Sequence, residues 1–286
     1  MINGIITHSI GGFYYVETAA GLFECKAKGK FRKQKLTPVA GDLVLITTRQ
    51  DQENTIDEIL PRKNLLKRPP VANVDRLLIV VSATQPLPRP LVIDKLTCIA
   101  EKNGIEPVLI FSKFDLAPIE DWQSVYATTG YTMLLNTQLD TIRSLISGKV
   151  CAFTGNSGVG KSTLINALDP SLSLETNAIS EKLGRGKHTT RQAEIFHVAD
   201  GLVIDTAGFS SLDLLQTEVI RKDELADCFP EFRPFLPDCR FSTCSHTCEK
   251  GCAICEKVSQ GVLSSSRHKS YCTLYEEAKA LKEWQL

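Results

Sequence analysis

The segment GNSGVGKS, at residues 155–162, constrains the fold of this chain more than any other. It follows the apolar run KVCAFT and precedes a helical pattern, which is the strand–loop–helix context that the pattern GxxxxGKS requires. Glycines in such a loop let successive backbone N–H groups converge on an anion at the start of a helix. The sequence therefore predicts a phosphate-binding loop between a buried strand and a helix.

Two side chains of this loop have the chemistry expected around a bound nucleotide. Lys161 suits the β- and γ-phosphates, and the hydroxyl of Ser162 suits the Mg²⁺ ion that accompanies them. The loop residues predicted to contact the nucleotide are Gly155, Asn156, Ser157, Gly158, Val159, Gly160, Lys161, Ser162 and Thr163.

The loop belongs to a long alternation of apolar strands and helical patterns, from residue 74 to about 212. Such alternation is typical of βαβ units, which place helices on both faces of a mainly parallel sheet. The clearest helices are predicted over residues 91–103 and 161–168. The strand candidates are RLLIVVSA, EPVLIFS, YTMLL, KVCAFTG, EIFHV and GLVID.

Ahead of this region, short alternating strands are separated by glycine-bearing turns. The runs FYYVET, LFECKA, DLVLITT and TIDEIL predict a small β-barrel over residues 5 to about 60, followed by a linker at residues 61–70. A cationic loop with Phe31 suits either an RNA backbone, with one ring to stack, or a solvated surface. Its basic residues are Lys26, Lys28, Lys30, Arg32, Lys33 and Lys35.

Length and charge limit the class of protein further. A chain of 286 residues is long for one core and suits several domains. The 33 basic and 33 acidic residues balance, which argues against a uniformly cationic nucleic-acid binder and leaves room for local basic patches. No run approaches the ~18 apolar residues of a membrane span, and the start MINGIITHSI does not resemble an export signal. We expect a cytoplasmic protein with no membrane partner.

A second segment, SKFD at residues 112–115, ends a strand candidate and so lies at the carboxyl edge of the predicted sheet. Asp115 suits the N1–H and exocyclic amine of guanine, a pattern that adenine does not offer. The aliphatic stem of Lys113 suits the face of the nucleotide. Ser112 stands where the usual NKxD segment has Asn, which predicts the loss of an amide that braces neighbouring loops and meets the base. The remaining base-contacting positions are assigned to Asn136 and Thr137.

Two later segments have the composition of loops that respond to a γ-phosphate. In DTAG, Asp205 suits Mg²⁺ through water and the N–H of Gly208 suits the γ-phosphate. The basic, hydroxyl-bearing segment GRGKHTTR supplies Thr190 as the second Mg²⁺ ligand, with Thr189 next in order. Phe209 follows DTAG where many GTPases have Gln, so hydrolysis without a partner should be slow. The candidate to orient the attacking water is His188, although it suits a phosphate or solvent contact equally well.

A Cys/His cluster dominates the C-terminal part, where strand patterns end and a last helix is predicted from about residue 270 to 284. A tetrahedral site needs fewer ligands than this cluster offers, and spacing alone does not choose among them. Thiolates with one imidazole favour a closed structural zinc site, the alternative being unligated thiols. The candidates are Cys239, Cys244, His246, Cys248, Cys252 and Cys255.

The order of these segments is unusual, because the base-reading segment precedes the phosphate loop. The succession SKFD, GNSGVGKS, GRGKHTTR, DTAGF and CRFSTCSHTCEKGC resembles the circularly permuted, ribosome small-subunit-dependent GTPase A family (RsgA, or YjeQ), over nearly the whole chain. The resemblance implies an N-terminal OB fold and slow GTP hydrolysis stimulated by the small ribosomal subunit. It further implies a role in late maturation of that subunit. It also selects, as ligands of one structural Zn²⁺, Cys239, Cys244, His246 and Cys252.

Taken together, these patterns predict a multi-domain monomer that binds GTP or GDP with Mg²⁺ and contacts rRNA. We expect an OB-type β-barrel over residues 1–66, a circularly permuted α/β P-loop GTPase domain over 67–215, and a helical zinc-binding domain over 216–286. Two alternatives stay open: a nucleotide-gated rRNA-binding module with negligible hydrolysis, and an ATP-using P-loop enzyme.

Overall fold

The computed structural model describes residues 1–49, 52–67, 70–116, 119–172, 193, 195–204 and 218–281. Along them, an N-terminal barrel is followed by a sheet with helices on both faces and then by a C-terminal region that has no strand among its described residues. The predicted multi-domain fold class is confirmed. Within the described ranges, no helix is both long and apolar enough to cross a membrane.

The N-terminal strands close into a barrel because their apolar side chains alternate and face a common interior. Its strands pair in the order β1-β2-β3-β5-β4, and β3 runs parallel to β5. A short helix, α1 (Gly29–Lys33), lies between β3 and β4. The strands are β1 (Ile2–Ile10), β2 (Phe13–Thr18), β3 (Gly21–Ala27), β4 (Leu43–Arg49) and β5 (Gln52–Ile59).

The cationic loop coincides largely with α1, and its ring is not available for stacking. Phe31 is only 3% exposed and packs in the barrel core. Lys26 and Lys28 form ion pairs with Glu53 and Asp57. The expectation of a stacking ring at Phe31 is therefore wrong, because the ring fills the barrel interior. The basic residues that lie exposed on α1 and just after it are Lys30, Arg32, Lys33 and Lys35.

Part of the segment predicted as a linker, residues 61–70, lies in two paired strands. β6 (Leu65–Lys67) and β7 (Pro70–Ala72) pair antiparallel, and Val71 also bridges to Ala40 of the barrel region. Gly41 has φ +85°, and a Cβ built on it would lie 2.1 Å from the carbonyl oxygen of Ala72. Glycine allows two backbones to meet this closely, so the barrel joins the next domain through a main-chain contact.

Among the residues that the structure describes, the central sheet has six strands in the order β10-β9-β8-β11-β13-β12. All neighbouring pairs are parallel except the edge pair of β12 and β13, which is antiparallel. The mainly parallel sheet predicted from the sequence is thus confirmed. The strands are β8 (Arg76–Ser82), β9 (Glu106–Ser112), β10 (Thr132–Leu135), β11 (Val150–Thr154), β12 (Ile195–Val198) and β13 (Gly201–Ile204).

Helices cover both faces of this sheet, as the alternation predicts. α2 (Pro90–Lys102) starts with a proline at its first turn, and Gly104 follows its end with φ +64°. α2 and α3 (Glu120–Tyr126) contribute to the core on one face, whereas α4 (Leu139–Ile146) and α5 (Lys161–Leu168) contribute to the core on the other. The helices predicted over residues 91–103 and 161–168 are confirmed.

Over residues 218–281, the C-terminal region has short 3₁₀ turns and two helices, α6 (Ala253–Ser259) and α7 (Ser265–Lys279). The last helix begins at Ser265 rather than near residue 270, because the Ser264 hydroxyl accepts a hydrogen bond from the backbone N–H of Arg267 and caps it. The region shares one hydrophobic core with the α2 face of the sheet. Members of this core from the C-terminal region are Ile220, Leu225, Cys228, Phe229, Phe232, Cys252, Ile254, Leu263, Tyr271 and Leu274.

Candidate functional site

The phosphate loop connects β11 to α5 at the carboxyl edge of the sheet, where the sequence predicts it. Gly155, Gly158 and Gly160 have φ angles of +146°, +77° and +97°. A Cβ on Gly155 would lie 2.4 Å from the carbonyl oxygen of Val80 in β8. The loop therefore packs directly on a neighbouring strand, and a side chain at Gly155 would displace it.

Lys161 folds back over this loop. Its ammonium donates to the carbonyl oxygen of Gly155 at 2.7 Å and to that of Asn156 at 2.9 Å. Burial lowers the pKa of Lys161 to about 8, because the charged form is poorly solvated there. Ser162 follows at the start of α5, so an amine and a hydroxyl lie at the same helix end. This end suits an anion such as a phosphate.

The segment SKFD lies against the phosphate loop. The buried hydroxyl of Ser112 donates to the carbonyl oxygen of Val159 at 2.6 Å. The ammonium of Lys113 donates to the carbonyl oxygen of Gly158 at 2.9 Å and to that of Gln85. The predicted position of this segment, at the end of a strand and at the carboxyl edge of the sheet, is correct. Serine lacks the amide of the usual asparagine, but its hydroxyl still contacts the phosphate loop.

The candidate base contacts line up beside this segment. Asp115 is exposed just beyond β9, so its carboxylate is free to meet a ligand in solution. The backbone N–H of Asn136 donates to the carbonyl oxygen of Phe111 at 2.9 Å, which places Asn136 and Thr137 next to the end of β9. The parallel pairing of β9 with β10 brings these positions together, although they are far apart in sequence.

The remaining predicted site residues lie outside the described residues: His188, Thr190, Asp205 and Gly208. The strand that leads to DTAG, β13, is described, and its last residue shows where the chain leaves the sheet. Ala152 of β11 pairs with Ile204, the last residue of β13. The chain therefore leaves β13 beside the strand that carries the phosphate loop.

A metal-binding group is gathered in the C-terminal region. The ligand atoms of Cys239, Cys244, His246 and Cys252 all lie within 4.8 Å of one another. The Nδ1 atom of His246 lies 3.4 Å from the sulfur of Cys239 and 3.7 Å from that of Cys252. Tetrahedral zinc, with its usual bond lengths, separates nitrogen and sulfur ligands by about 3.6 Å. The residues present therefore fit zinc.

The surroundings of this group favour a closed site. Burial lowers the pKa of His246, which favours the neutral imidazole that a metal ion requires. The hydroxyl of Tyr271 donates to the carbonyl oxygen of Ser245 at 2.8 Å. The Nε2 atom of His268 lies 2.8 Å from the carbonyl oxygen of His246. The sulfur of Cys252 accepts the N–H of Cys255 and caps α6. Helix α7 thus holds the ligand loop in place.

A buried charged cluster near this region gave no signal in the sequence. Arg267 of α7 is 1% exposed and donates to Asp94 of α2 at 2.8 Å and to Glu231 at 2.7 and 3.1 Å. Asp94 also accepts the hydroxyl of Tyr126 at 2.7 Å, and the guanidinium carbon lies 4.5 Å from the Phe229 ring. Asp94 and Arg267 are 173 positions apart, so no local spacing points to their contact.

Comparisons with known proteins agree with this geometry. The model of the RsgA GTPase family matches residues 59–215, and that of the RsgA N-terminal domain matches residues 3–56. A protein of Halalkalibacterium halodurans, named small ribosomal subunit biogenesis GTPase RsgA, is 43% identical over 98% of both chains. Its namesake from Caldanaerobacter subterraneus is 42% identical over 97% of this chain and 96% of its own.

Solved structures show the same arrangement of the chain. The circularly permuted GTPase YloQ matches with a TM-score of 0.82 and 33% identity, over 99% of this chain and 96% of its own. YjeQ from Thermotoga maritima matches with a TM-score of 0.84 and 32% identity, over 98% and 99%. With the phosphate loop in β11–α5, the base-reading segment ahead of it in β9, and both family models matched, this chain belongs to the RsgA family of circularly permuted GTPases.

Proposed function

We propose that this protein binds GTP at the carboxyl edge of the sheet and hydrolyses it to GDP and phosphate, acting in late maturation of the small ribosomal subunit. Turnover is slow for the protein alone and faster on the subunit. The observation that carries the proposal is the braced phosphate loop. Ser112 and Lys113 of the base-reading segment hold the same loop that Lys161 spans. The relatives named for this activity match along almost the whole chain.

In this proposal the residues of the phosphate loop position the phosphates of the nucleotide. The ammonium of Lys161 leaves the two loop carbonyls and pairs with the β- and γ-phosphates, while backbone N–H groups of the loop receive the remaining oxygens. Asp115 accepts from guanine N1–H and its exocyclic amine. Lys113 covers the nucleotide, and Asn136 and Thr137 approach the base from the next loop.

The hydrolytic step is an in-line attack by water on the γ-phosphate. Ser162 and Thr190 would supply hydroxyls to a bound Mg²⁺ ion and Asp205 would supply a carboxylate, while the N–H of Gly208 would contact the γ-phosphate. The Mg²⁺ ion supplies charge neutralisation on the phosphates when it is bound. Phe209 has no group to orient the water, so we assign that role to His188 or to a group that the ribosomal subunit supplies.

The two flanking regions supply the contacts with the subunit. The exposed cations on and after α1 suit rRNA phosphates as a local basic patch on a chain of zero net charge. One structural Zn²⁺, bound by the Cys₃His group, holds the C-terminal loop in a shape that a short segment would not keep alone. The protein acts as a cytoplasmic monomer.

The decisive measurement is GTP turnover with and without purified small ribosomal subunits. We expect a low rate for the protein alone and an increase of at least tenfold on adding subunits. Lys161→Ala should abolish both rates, because it removes the phosphate-binding charge. Ser124→Ala is a matched control, since its hydroxyl is exposed on α3 and bonds only within that helix. Stimulation that persists in Lys161→Ala would refute the site.

The ammonium also gives the site a pH dependence. The pKa of Lys161 is about 8 in the free protein, and a phosphate partner raises it. Nucleotide affinity should therefore be highest below pH 8 and fall as the pH rises above it. Binding of GDP, followed by fluorescence between about pH 6.5 and pH 8.5, where guanine N1 keeps its proton, checks this. Lys161→Arg should remove the decline, because guanidinium stays charged over that range.

Each alternative predicts a different result. An ATP-using enzyme requires ATP to displace a labelled guanine nucleotide as well as GTP does, which the carboxylate of Asp115 disfavours. A nucleotide-gated module requires GTP binding with no subunit-stimulated turnover. Either outcome would replace the proposal.

A further inference from the structure

One carboxylate gathers the backbone of the loop at residues 244–248, which carries two of the four candidate zinc ligands. The Oε1 atom of Glu249 accepts the backbone N–H of Ser245 at 2.7 Å. Its Oε2 atom accepts the N–H groups of Thr247 and Cys248 at 3.2 and 3.3 Å. A single side chain therefore receives three backbone N–H groups of this loop, and hydrogen bonds to an ionised acceptor are among the stronger ones.

The candidate ligand in the middle of this loop has an unusual backbone conformation. His246 has φ +57°, in the left-handed region that non-glycine residues seldom adopt. Such a conformation persists where the surrounding structure holds it. Two of the N–H groups that Glu249 accepts belong to Ser245 and Thr247, the residues on either side of His246. The carboxylate thus holds the turn that places Nδ1 of His246 3.4 Å from the sulfur of Cys239.

Glu249 also contacts the other part of the ligand group through its main chain. Its carbonyl oxygen accepts the backbone N–H of Cys252 at 3.1 Å, just before α6 begins. On the opposite side of the loop, Tyr271 and His268 of α7 contact the carbonyl groups. The N–H groups of the loop are therefore held by Glu249, whereas its carbonyl groups are held by α7.

The carboxylate positions the ligands rather than joining them. The ligand atoms that lie within 4.8 Å of one another belong to three cysteines and one histidine, and both oxygens of Glu249 are engaged by the backbone. Four such ligands complete a tetrahedral zinc site. Residues that orient the ligands of a metal typically change its affinity by 10- to 100-fold when they are replaced.

We infer that Glu249 is a positioning residue for the metal, which sets the affinity of the Cys₃His group for zinc by holding the turn at His246. The inference rests on the proposed zinc site and adds a residue that determines how tightly this site holds its ion. Replacing the carboxylate leaves the four ligands in the chain but releases the backbone between them. The ion should then bind more weakly, with the same ligand atoms around it.

The first experiment measures the zinc affinity of the full-length protein by competition with a chromophoric chelator. Glu249→Gln keeps the size of the side chain but turns one acceptor oxygen into an NH₂ group, which cannot accept the loop N–H groups. We expect zinc to bind about tenfold or more weakly, which corresponds to about 1.4 kcal/mol. Glu256→Gln removes the same charge from an exposed position on α6, where the side chain bonds Gln260, and should stay within about twofold of the unmodified protein.

The second measurement is the absorption spectrum of Co²⁺ bound in place of zinc, which reports the ligand atoms. At saturation the spectrum of Glu249→Gln should match that of the unmodified protein. A changed spectrum overturns the inference, because the carboxylate would then determine which atoms bind the ion. A zinc affinity within about twofold of the unmodified protein overturns it as well, since the carboxylate would only fold the turn. Failure of the unmodified protein to bind one equivalent of zinc would instead overturn the proposed zinc site.

Glu249→Asp carries the same test if the glutamine variant does not fold. It keeps the charge, but its stem is one CH₂ group shorter, so the carboxylate cannot keep all three contacts with the loop. We expect zinc to bind about threefold to tenfold more weakly than to the unmodified protein, with an unchanged Co²⁺ spectrum. An affinity equal to that of the unmodified protein would show that the reach of the carboxylate to the loop does not matter, and would overturn the inference.

Discussion

The barrel and the C-terminal region join the GTPase domain in different ways. The barrel strands have a core of their own. The barrel meets the domain at Gly41, where Ala40 is buried in the core of the domain, and through an exposed contact between Glu17 and His197 at 2.8 Å. The C-terminal region buries its apolar residues in the same core as α2. It adds the Arg267 cluster, in which a charge of each region is almost fully buried.

This difference distinguishes the barrel, which is attached to the GTPase domain, from the C-terminal region, which is part of its core. A segment with its own core unfolds as a unit, whereas two segments that share a core gain and lose order together. The barrel should therefore behave as an independent cooperative unit. The C-terminal region, although it follows the GTPase domain in sequence, should be part of the stability of that domain. Each prediction below tests one side of this contrast, in order of expected size.

Removing the metal should have the largest effect. Structural zinc sites contribute of order 10 kcal/mol of binding free energy to their folded state. Because the C-terminal region shares a core with α2, metal removal should lower hydrogen-exchange protection in α7 and α2 together and leave the barrel strands protected. Hydrogen exchange with and without a chelator measures this.

The matched pair of variants for this prediction is Cys252→Ser and Cys248→Ser. Cys252 is buried within the ligand group, whereas Cys248 is exposed and outside it. We expect the first variant to lose the metal and the second to retain one equivalent per chain by elemental analysis. Loss of protection confined to the ligand loop would contradict a shared core.

The second-largest loss of stability is expected when Arg267 is replaced. Arg267→Met leaves Asp94 and Glu231 buried without their cation, and breaking a buried pair costs about 3–5 kcal/mol. Urea unfolding should show this loss in the transition of the GTPase domain, with the barrel transition unchanged.

A second ion pair between the same two regions provides the control. Arg233 lies 2.6 Å from Glu101 of α2, but its side chain is 47% exposed. Arg233→Met should cost less than about 1 kcal/mol, because solvent screens the pair. Equal costs for the two arginine variants would show that burial of the Arg267 cluster does not set its contribution.

On the barrel side, Gly41→Ala should cost more than its matched control Gly12→Ala. The two glycines have nearly the same φ, +85° and +88°, but a Cβ on Gly12 meets nothing within 4 Å. The control therefore reports the backbone strain alone, about 1–2 kcal/mol. The clash with Ala72 should add about 1–3 kcal/mol. Thermal unfolding, with limited proteolysis near the hairpin as a second readout, measures the difference.

The smallest effect is expected at the Glu17–His197 pair. The His197 side chain is 65% exposed, so Glu17→Gln should change stability by less than about 1 kcal/mol. A double-mutant cycle with His197→Gln isolates the pair. A coupling energy above 1 kcal/mol would mean that the barrel is held more rigidly against β12 than its exposed contact indicates.

The elements predicted best are those whose signals are local. The phosphate loop, α5 and the parallel strands follow from apolar runs, glycines and spacing that lie within short windows. The four cysteine and histidine residues that the family resemblance selects, and that spacing alone does not, lie together as a group that could hold a metal ion. The roles assigned to His188, Thr190, Asp205 and Gly208 stay predictions.

The misjudged positions are those whose environment depends on distant segments. Phe31 sits in a basic run but fills the barrel interior. The stretch after Pro61 looks like a linker, yet part of it pairs as a hairpin against the barrel. Ser112 lacks the amide of the usual asparagine, yet its hydroxyl contacts the carbonyl oxygen of Val159. In each case the deciding neighbour is far away in sequence.

The amino-acid sequence by itself determined the local chemistry of this protein: a loop built to receive phosphate, a carboxylate suited to guanine, and thiols with an imidazole suited to zinc. Only the tertiary structure decided how these parts depend on one another. Burial is set by contacts among distant residues, and it made Arg267 an internal link between α2 and α7 rather than a surface cation. The same long-range packing gave the barrel its own core and merged the C-terminal region with the GTPase domain.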